Sequence, residues 1–140
     1  MNKSSVRDVE VEGKRVLLRV DFNVPLDETG EITDDSRIQA TQPTIKYLID
    51  HGARVILISH LGRPEGKVVN QLRLTAVAQR LSQILTQTVT TTPDCVGPDA
   101  EKAAEELNNG DVLLLENVRF HPEEEENDAS FAQALAQLAD

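Results

Sequence analysis

A chain of 140 residues suits one domain, and its apolar and charged fractions of 39% and 27% are those of a globular rather than a disordered protein. The net charge of −10 argues against nucleic acid or an anionic membrane as the main partner, and the single Cys95 excludes an internal disulfide or a cluster of thiolate metal ligands. Residues 1–12 lack the apolar stretch of a secretory signal and no run approaches the ~18 apolar residues of a membrane span, so a soluble, cytoplasmic protein is expected.

Strand-like and helix-like patterns alternate along the chain. Val16-Leu17-Leu18-Arg19-Val20 is short, mostly apolar and β-branched at its ends, which predicts a strand stopped by Pro25. Asp27-Glu28-Thr29-Gly30 is a turn. Asp34-Asp35-Ser36 offers N-cap oxygens to a helix whose stripe is Ile38, Ile45, Leu48 and Ile49. Pro43 near its start predicts a kink or a later beginning, and His51-Gly52 predicts its stop. The apolar run Val55 to Ile58 is the second strand. Leu74, Val77, Leu81, Ile84 and Leu85 then keep helical spacing, and Thr88 to Thr91 is a weaker strand. Gly97-Pro98 opens a third helix lined by Ala100, Ala103, Ala104 and Leu107, and Val112 to Leu115 is the fourth strand. A last helix from about Asp128 turns Phe131, Leu135 and Leu138 inward. Its pattern reaches Asp140 without a stop signal, which suggests that the chain has been cut. Strands separated by such helices imply right-handed βαβ crossovers and a parallel sheet, hence a three-layer α/β/α, Rossmann-like fold.

Three strands lead at once into polar residues: Asp21-Phe22-Asn23-Val24-Pro25, Ser59-His60-Leu61-Gly62-Arg63-Pro64 and Glu116-Asn117-Val118-Arg119-Phe120-His121-Pro122. In a parallel sheet all three loops emerge at the carboxyl edge, where ligands of open α/β sheets bind. Arg37, at the start of the first helix, emerges there too. The topology therefore gathers Arg37, His60, Arg63 and Arg119 at one rim of an acidic protein. Guanidiniums so gathered repel each other unless an anion neutralises them, and their planar fork suits carboxylate and phosphate. Asp21 and Asn23 add groups suited to a hydroxyl. A small, multiply anionic ligand with at least one hydroxyl is implied, and a hydroxy-acid phosphate fits.

Each residue also has an ordinary structural reading. Asp21 and Asn23 suit turns, His60 could donate to a backbone carbonyl, and Arg37 could simply be exposed. Arg63 could pair with Glu65 for only ~0–1 kcal/mol, and Arg119 with the acidic run Glu123 to Glu126. His121 has no close partner by sequence and is read as structural. Position argues against the joint structural reading, because every candidate falls at one sheet edge. Rival motifs fail. The stretch Gly62 to Val68 is one residue short of a Walker loop and has Val68 where a metal-binding hydroxyl belongs. No G-x-G-x-x-G follows a strand, no nucleophile elbow is present, and no cluster has zinc-ligand spacing, so no metal site is expected.

The three loop motifs, with Ile32-Thr33-Asp34-Asp35-Ser36-Arg37-Ile38 continuing to Pro43-Thr44-Ile45, resemble the amino-terminal domain of the phosphoglycerate kinase family over essentially the whole chain. Ser36 stands where Thr is commoner. The resemblance implies a two-domain enzyme of glycolysis, a monomer that moves phosphate reversibly between 1,3-bisphosphoglycerate and ADP, with Mg-ATP/ADP as co-substrate. It implies that Asp21 and Asn23 bind the glycerate backbone, that His60, Arg63 and Arg119 hold the phosphate that is not transferred, and that Phe22, Leu61 and Gly62 complete the substrate loops. Arg37 would stabilise the moving phosphoryl group as the catalytic arginine. Residues 1–140 would then be an incomplete amino-terminal domain with four of the family's six strands. It would bind 3-phosphoglycerate, hold no cofactor and lack the nucleotide-binding domain, so it would be inactive alone and leave an unpaired sheet edge with uncovered apolar surface. The alternative is a non-catalytic small-anion-binding module derived from that domain.

Overall fold

The computed structural model describes residues 10–122 and 128–139. The acidic run 123–126 and the last residue of the final helical pattern lie outside the described residues. Strands β1 (Arg15–Arg19), β2 (Arg54–Ile58), β3 (Val89–Thr91) and β4 (Val112–Leu114) alternate with helices α1 (Ser36–Asp50), α2 (Thr75–Leu85), α3 (Pro98–Glu105) and α4 (Ala129–Ala136). The strands form one parallel sheet in the order β1-β2-β4-β3.

Period-two alternation sorts the core onto two faces. Val55 and Leu57 of β2 join Val112 and Leu114 of β4 beneath α1 and α2, against Ile38, Ile45, Leu48, Val77, Leu81 and Leu85. Ile56, Ile58 and Leu113 point the other way, against Ala100, Ala104 and Leu107 beside α3 and Phe131, Leu135 and Leu138 beside α4. Both faces of the central strands are thus covered, which explains why they read as unbroken apolar runs. β1 and β3 are the edges. On β1, Val16, Leu17 and Leu18 stay only half-buried, so the expected uncovered apolar surface is partial, because α1 and α2 still cover one side.

The path of the chain locates the site. From β1 through β2 to β3 it crosses the sheet in one direction with α1 and α2 on one face. It returns from β3 to β4 with α3 on the other face, and that double reversal keeps all three crossovers the same hand. Neighbours β2 and β4 therefore send the chain to opposite faces, which opens a crevice at their carboxyl ends.

Helix boundaries show where packing overrode local signals. α1 runs unbroken across Pro43 instead of beginning after it, because Ile38, Ile45 and Leu48 are fully buried on both sides of the proline. Its cap differs from expectation as well. The Asp34 carboxylate accepts the Ser36 backbone N–H at 2.8 Å, while Asp35, at the cap position, turns to Arg80 of α2 at 2.8 Å. The Ser36 hydroxyl, then its amide, hold the Asp34 carboxyl below its ordinary value. The stability this adds is present above the ordinary carboxylate pKa and fades as pH falls through the lowered value. The last helix starts where the sequence implied, and the Asp128 side chain caps it by accepting from Phe131 N–H at 3.0 Å. No described helix is long and apolar enough to cross a membrane.

α2 ends on Thr86, a β-branched residue held at φ +54°. Left-handed backbone costs such a residue roughly 1–2 kcal/mol. Thr86→Gly is expected to raise unfolding stability by about 0.5–1 kcal/mol despite losing a short hydroxyl bond to the Leu85 carbonyl, read as an increased denaturant midpoint.

Candidate functional site

The three polar loops meet above the β2/β4 crevice and are joined by buried bonds. The loop after β1 docks on the loop after β2 twice: Phe22 N–H donates to Ser59 Oγ at 3.0 Å, and Gly62 N–H donates to Asn23 Oδ1 at 2.8 Å. The loop after β4 docks from the other side, where Val118 N–H donates to the Ser59 carbonyl at 3.1 Å and Gly66 N–H to the Arg119 carbonyl at 3.2 Å.

Two side chains that the sequence reading left without a role hold this assembly. Asn117, 0% exposed, donates from Nδ2 to the carbonyls of Leu61 and Leu72 at 2.8 and 3.0 Å, and its Oδ1 accepts from Arg119 N–H at 3.0 Å. Glu116, 5% exposed, accepts from the backbone N–H groups of Leu74 and Asn117 through Oε1 at 2.9 and 2.8 Å. Its Oε2 meets Arg73 Nη1 at 3.1 Å, and the Arg73 guanidinium lies 5.8 Å from the Phe120 ring centroid. A buried carboxylate is tolerated because it is paired and hydrogen-bonded at both oxygens. The available sequence signal was the placement of Glu and Asn directly after an apolar run, where an unpartnered polar pair would be costly.

The second loop is shaped by backbone no ordinary residue favours. Gly62 and Gly66 have φ of +63° and +77°, and Glu65 between them is also left-handed at +60°. A Cβ on Gly62 would come within 2.7 Å of the Leu72 side chain, so the loop packs closely against the turn before α2, and the left-handed φ disfavours any other residue there.

Arg37 reaches back to the first loop, where Nη1 donates to the Asn23 carbonyl and lies 3.4 Å from Asp21 Oδ1, both side chains staying largely exposed. Asp21 also accepts from Asn23 N–H at 3.2 Å. Asn23 and Arg37, with Pro25, Asp34 and Ser36, line an open cavity of about 480 Å³. Phe22 and Leu61 are buried core side chains, so only their backbone faces the loops. Arg63 is exposed and makes no ion pair among the described residues, so the Glu65 pairing does not form. His60 and Arg119 are half-buried. His121 does have a partner that spacing could not show: it meets Asp94 Oδ1 at 2.6 Å.

Four parallel strands between two helical layers, with polar loops crowded at one edge, define a Rossmann-like α/β domain. Comparison with known proteins narrows the class. The phosphoglycerate kinase family model matches residues 6–140, and the chain belongs to that family. It is 61% identical to the phosphoglycerate kinase of Moorella thermoacetica and 60% to that of Prochlorococcus marinus, with 100% of this chain covered in each case. It spans only 35% and 36% of those two proteins. Among solved structures it is similar to the phosphoglycerate kinase of Pyrococcus horikoshii, with a TM-score of 0.85 and 34% identity over 96% of this chain and 34% of that one. The Coxiella burnetii enzyme gives 0.82 and 36% identity over 96% of this chain and 33% of that one.

Asn117→Asp keeps the size of the side chain but cannot donate to Leu61 and Leu72, and it sets a second carboxylate beside Glu116. It is expected to destabilise the chain by roughly 3 kcal/mol or more, measured by urea unfolding at neutral pH.

Proposed function

We propose that this chain carries the 3-phosphoglycerate-binding part of a phosphoglycerate kinase, an enzyme that transfers phosphate reversibly between 1,3-bisphosphoglycerate and ADP. In this reading residues 1–140 belong to the amino-terminal domain. The nucleotide, as Mg-ATP or Mg-ADP, binds a second domain outside residues 1–140, so residues 1–140 alone turn nothing over. The complete enzyme works as a cytoplasmic monomer without nucleic-acid or membrane partners. The observation that carries the reading is the fastening of the Asp21–Asn23, His60–Arg63 and Arg119 loops at one sheet edge of an acidic chain.

The chemistry follows from charge. Asp21 and Asn23 orient the glycerate hydroxyl and backbone, while Phe22, Leu61 and Gly62 contribute shape and main chain rather than charge. His60, Arg63 and Arg119 neutralise the phosphate that stays behind. Arg37 is held against Asp21 and the Asn23 carbonyl by exposed contacts, and an arriving anion competes with these for its guanidinium. Transfer between two bound oxygens in line needs no protein nucleophile. It needs positive charge where the phosphoryl oxygens spread theirs, and a positioned arginine can contribute ~10³–10⁵ in rate.

Calorimetric titration with 3-phosphoglycerate tests the assignment. Arg63→Ala and Arg119→Ala are each expected to weaken binding about tenfold or more through lost charge-assisted bonds. In an enzyme completed by its nucleotide domain, Arg37→Ala is expected to lower kcat far more than it raises KM. Unchanged affinity in the first two variants together with unchanged kcat in the third contradicts the proposal.

A further inference from the structure

Three metal-ligating groups of different chemistry converge beside the loop after β4. One donor atom each from Asp94, Cys95 and His121 lies within 4.8 Å of the other two. Asp94 and Cys95 follow β3, while His121 comes from the loop after β4, so no sequence spacing announces the cluster.

We propose that Asp94, Cys95 and His121 form a binding site for a borderline-soft divalent cation, Zn²⁺ being the natural occupant. Three points mutually within 4.8 Å share a centre no farther from each than 4.8 Å divided by √3, about 2.8 Å. Zinc distances to sulfur, nitrogen and oxygen are about 2.0–2.3 Å, so closure needs donor movements of at most about 0.5–0.8 Å. A thiolate, an imidazole and a carboxylate together select zinc over magnesium or calcium, which take oxygen-only sets. Three protein donors leave a fourth, tetrahedral position for water.

The surroundings hold the donors in place. The Asp94 carboxylate accepts the Cys95 backbone N–H at 2.6 Å, and the Asp94 carbonyl accepts from the Thr92 hydroxyl at 2.5 Å. The His121 ring lies 5.1 Å from the Phe131 ring of α4. Cys95 is fully buried, whereas the side chains of His121 and Asp94 are 26% and 46% exposed, so the ion enters from their side and meets the thiol last. Binding exchanges the direct His121–Asp94 contact at 2.6 Å for two bonds to the metal, and it releases the Cys95 thiol proton to solvent. The bound ion ties the exit of β3 to the segment two residues beyond Arg119.

Titration of the metal-stripped chain with cobalt(II) reads the site directly, independently of any phosphoglycerate binding. The expected result is a thiolate-to-cobalt charge-transfer band that saturates at one equivalent and is erased by excess Zn²⁺. His121→Ala and Asp94→Asn change half-exposed side chains and spare the buried thiol. Each is expected to weaken cobalt binding by at least ~10–100-fold, the range for lesser losses around a metal. Zn²⁺ is also expected to raise the melting temperature of the parent chain and of neither variant. Absence of the charge-transfer band under excess cobalt overturns the proposal, and so does a band of undiminished affinity in both variants.

Discussion

Burial of Glu116 and Asn117 at the end of the central strand is the constraint on which the rest of this site depends. Neither side chain reaches enough water to satisfy its polar atoms, so each must find protein partners. Those partners are the carbonyls of Leu61 and Leu72, the amides of Leu74, Asn117 and Arg119, and the Arg73 guanidinium. Satisfying them draws the loop after β2, the turn before α2 and the loop after β4 onto one point. The loop after β1 is then added through Asn23 and Ser59. The positions of Arg63 and Arg119 are a consequence of this buried network.

The same arrangement explains how an acidic chain can present a basic rim. With a net charge of −10 the molecule as a whole repels small anions, and only local geometry can reverse that. The change of face between β2 and β4 opens the crevice, and the left-handed backbone at Gly62, Glu65 and Gly66 bends the second loop across it. Arg37 is kept near that edge by its own helix and by the first loop. In the proposed reading the buried network sets where the charged groups stand: Asn117 holds the Arg119 backbone without itself offering charge, whereas the exposed Arg63 side chain makes no ion pair among the described residues.

What the sequence made legible follows from which physics is local. The unbroken apolar runs Val55–Ile58 and Val112–Leu114 announced buried parallel strands, and Gly97-Pro98 and Asp128 marked helix starts, because these signals act over a few residues. Pro43 misled as a possible later start, because fully buried Ile38, Ile45 and Leu48 carry the helix across it. Thr86 gave no stop signal, since its left-handed turn is imposed by packing. The loop motifs were expected together at the carboxyl edge, and the structure joins them there, yet the roles of Glu116 and Asn117 were hidden, as their partners lie up to 56 residues away. The meeting of Asp94 with His121, 27 residues apart, was hidden for the same reason.

Amide hydrogen exchange at Phe22, Gly62 and Leu74 bears on this most directly, because each of these N–H groups is bonded to one of the side chains that fasten the loops. If the loops are one preassembled unit with the core, all three amides exchange only through global opening, with protection equal to that of Ile56 and Leu57 in β2. Exchange at those three sites orders of magnitude faster than in β2 would show loops that open on their own, and a rim that no buried network holds in place.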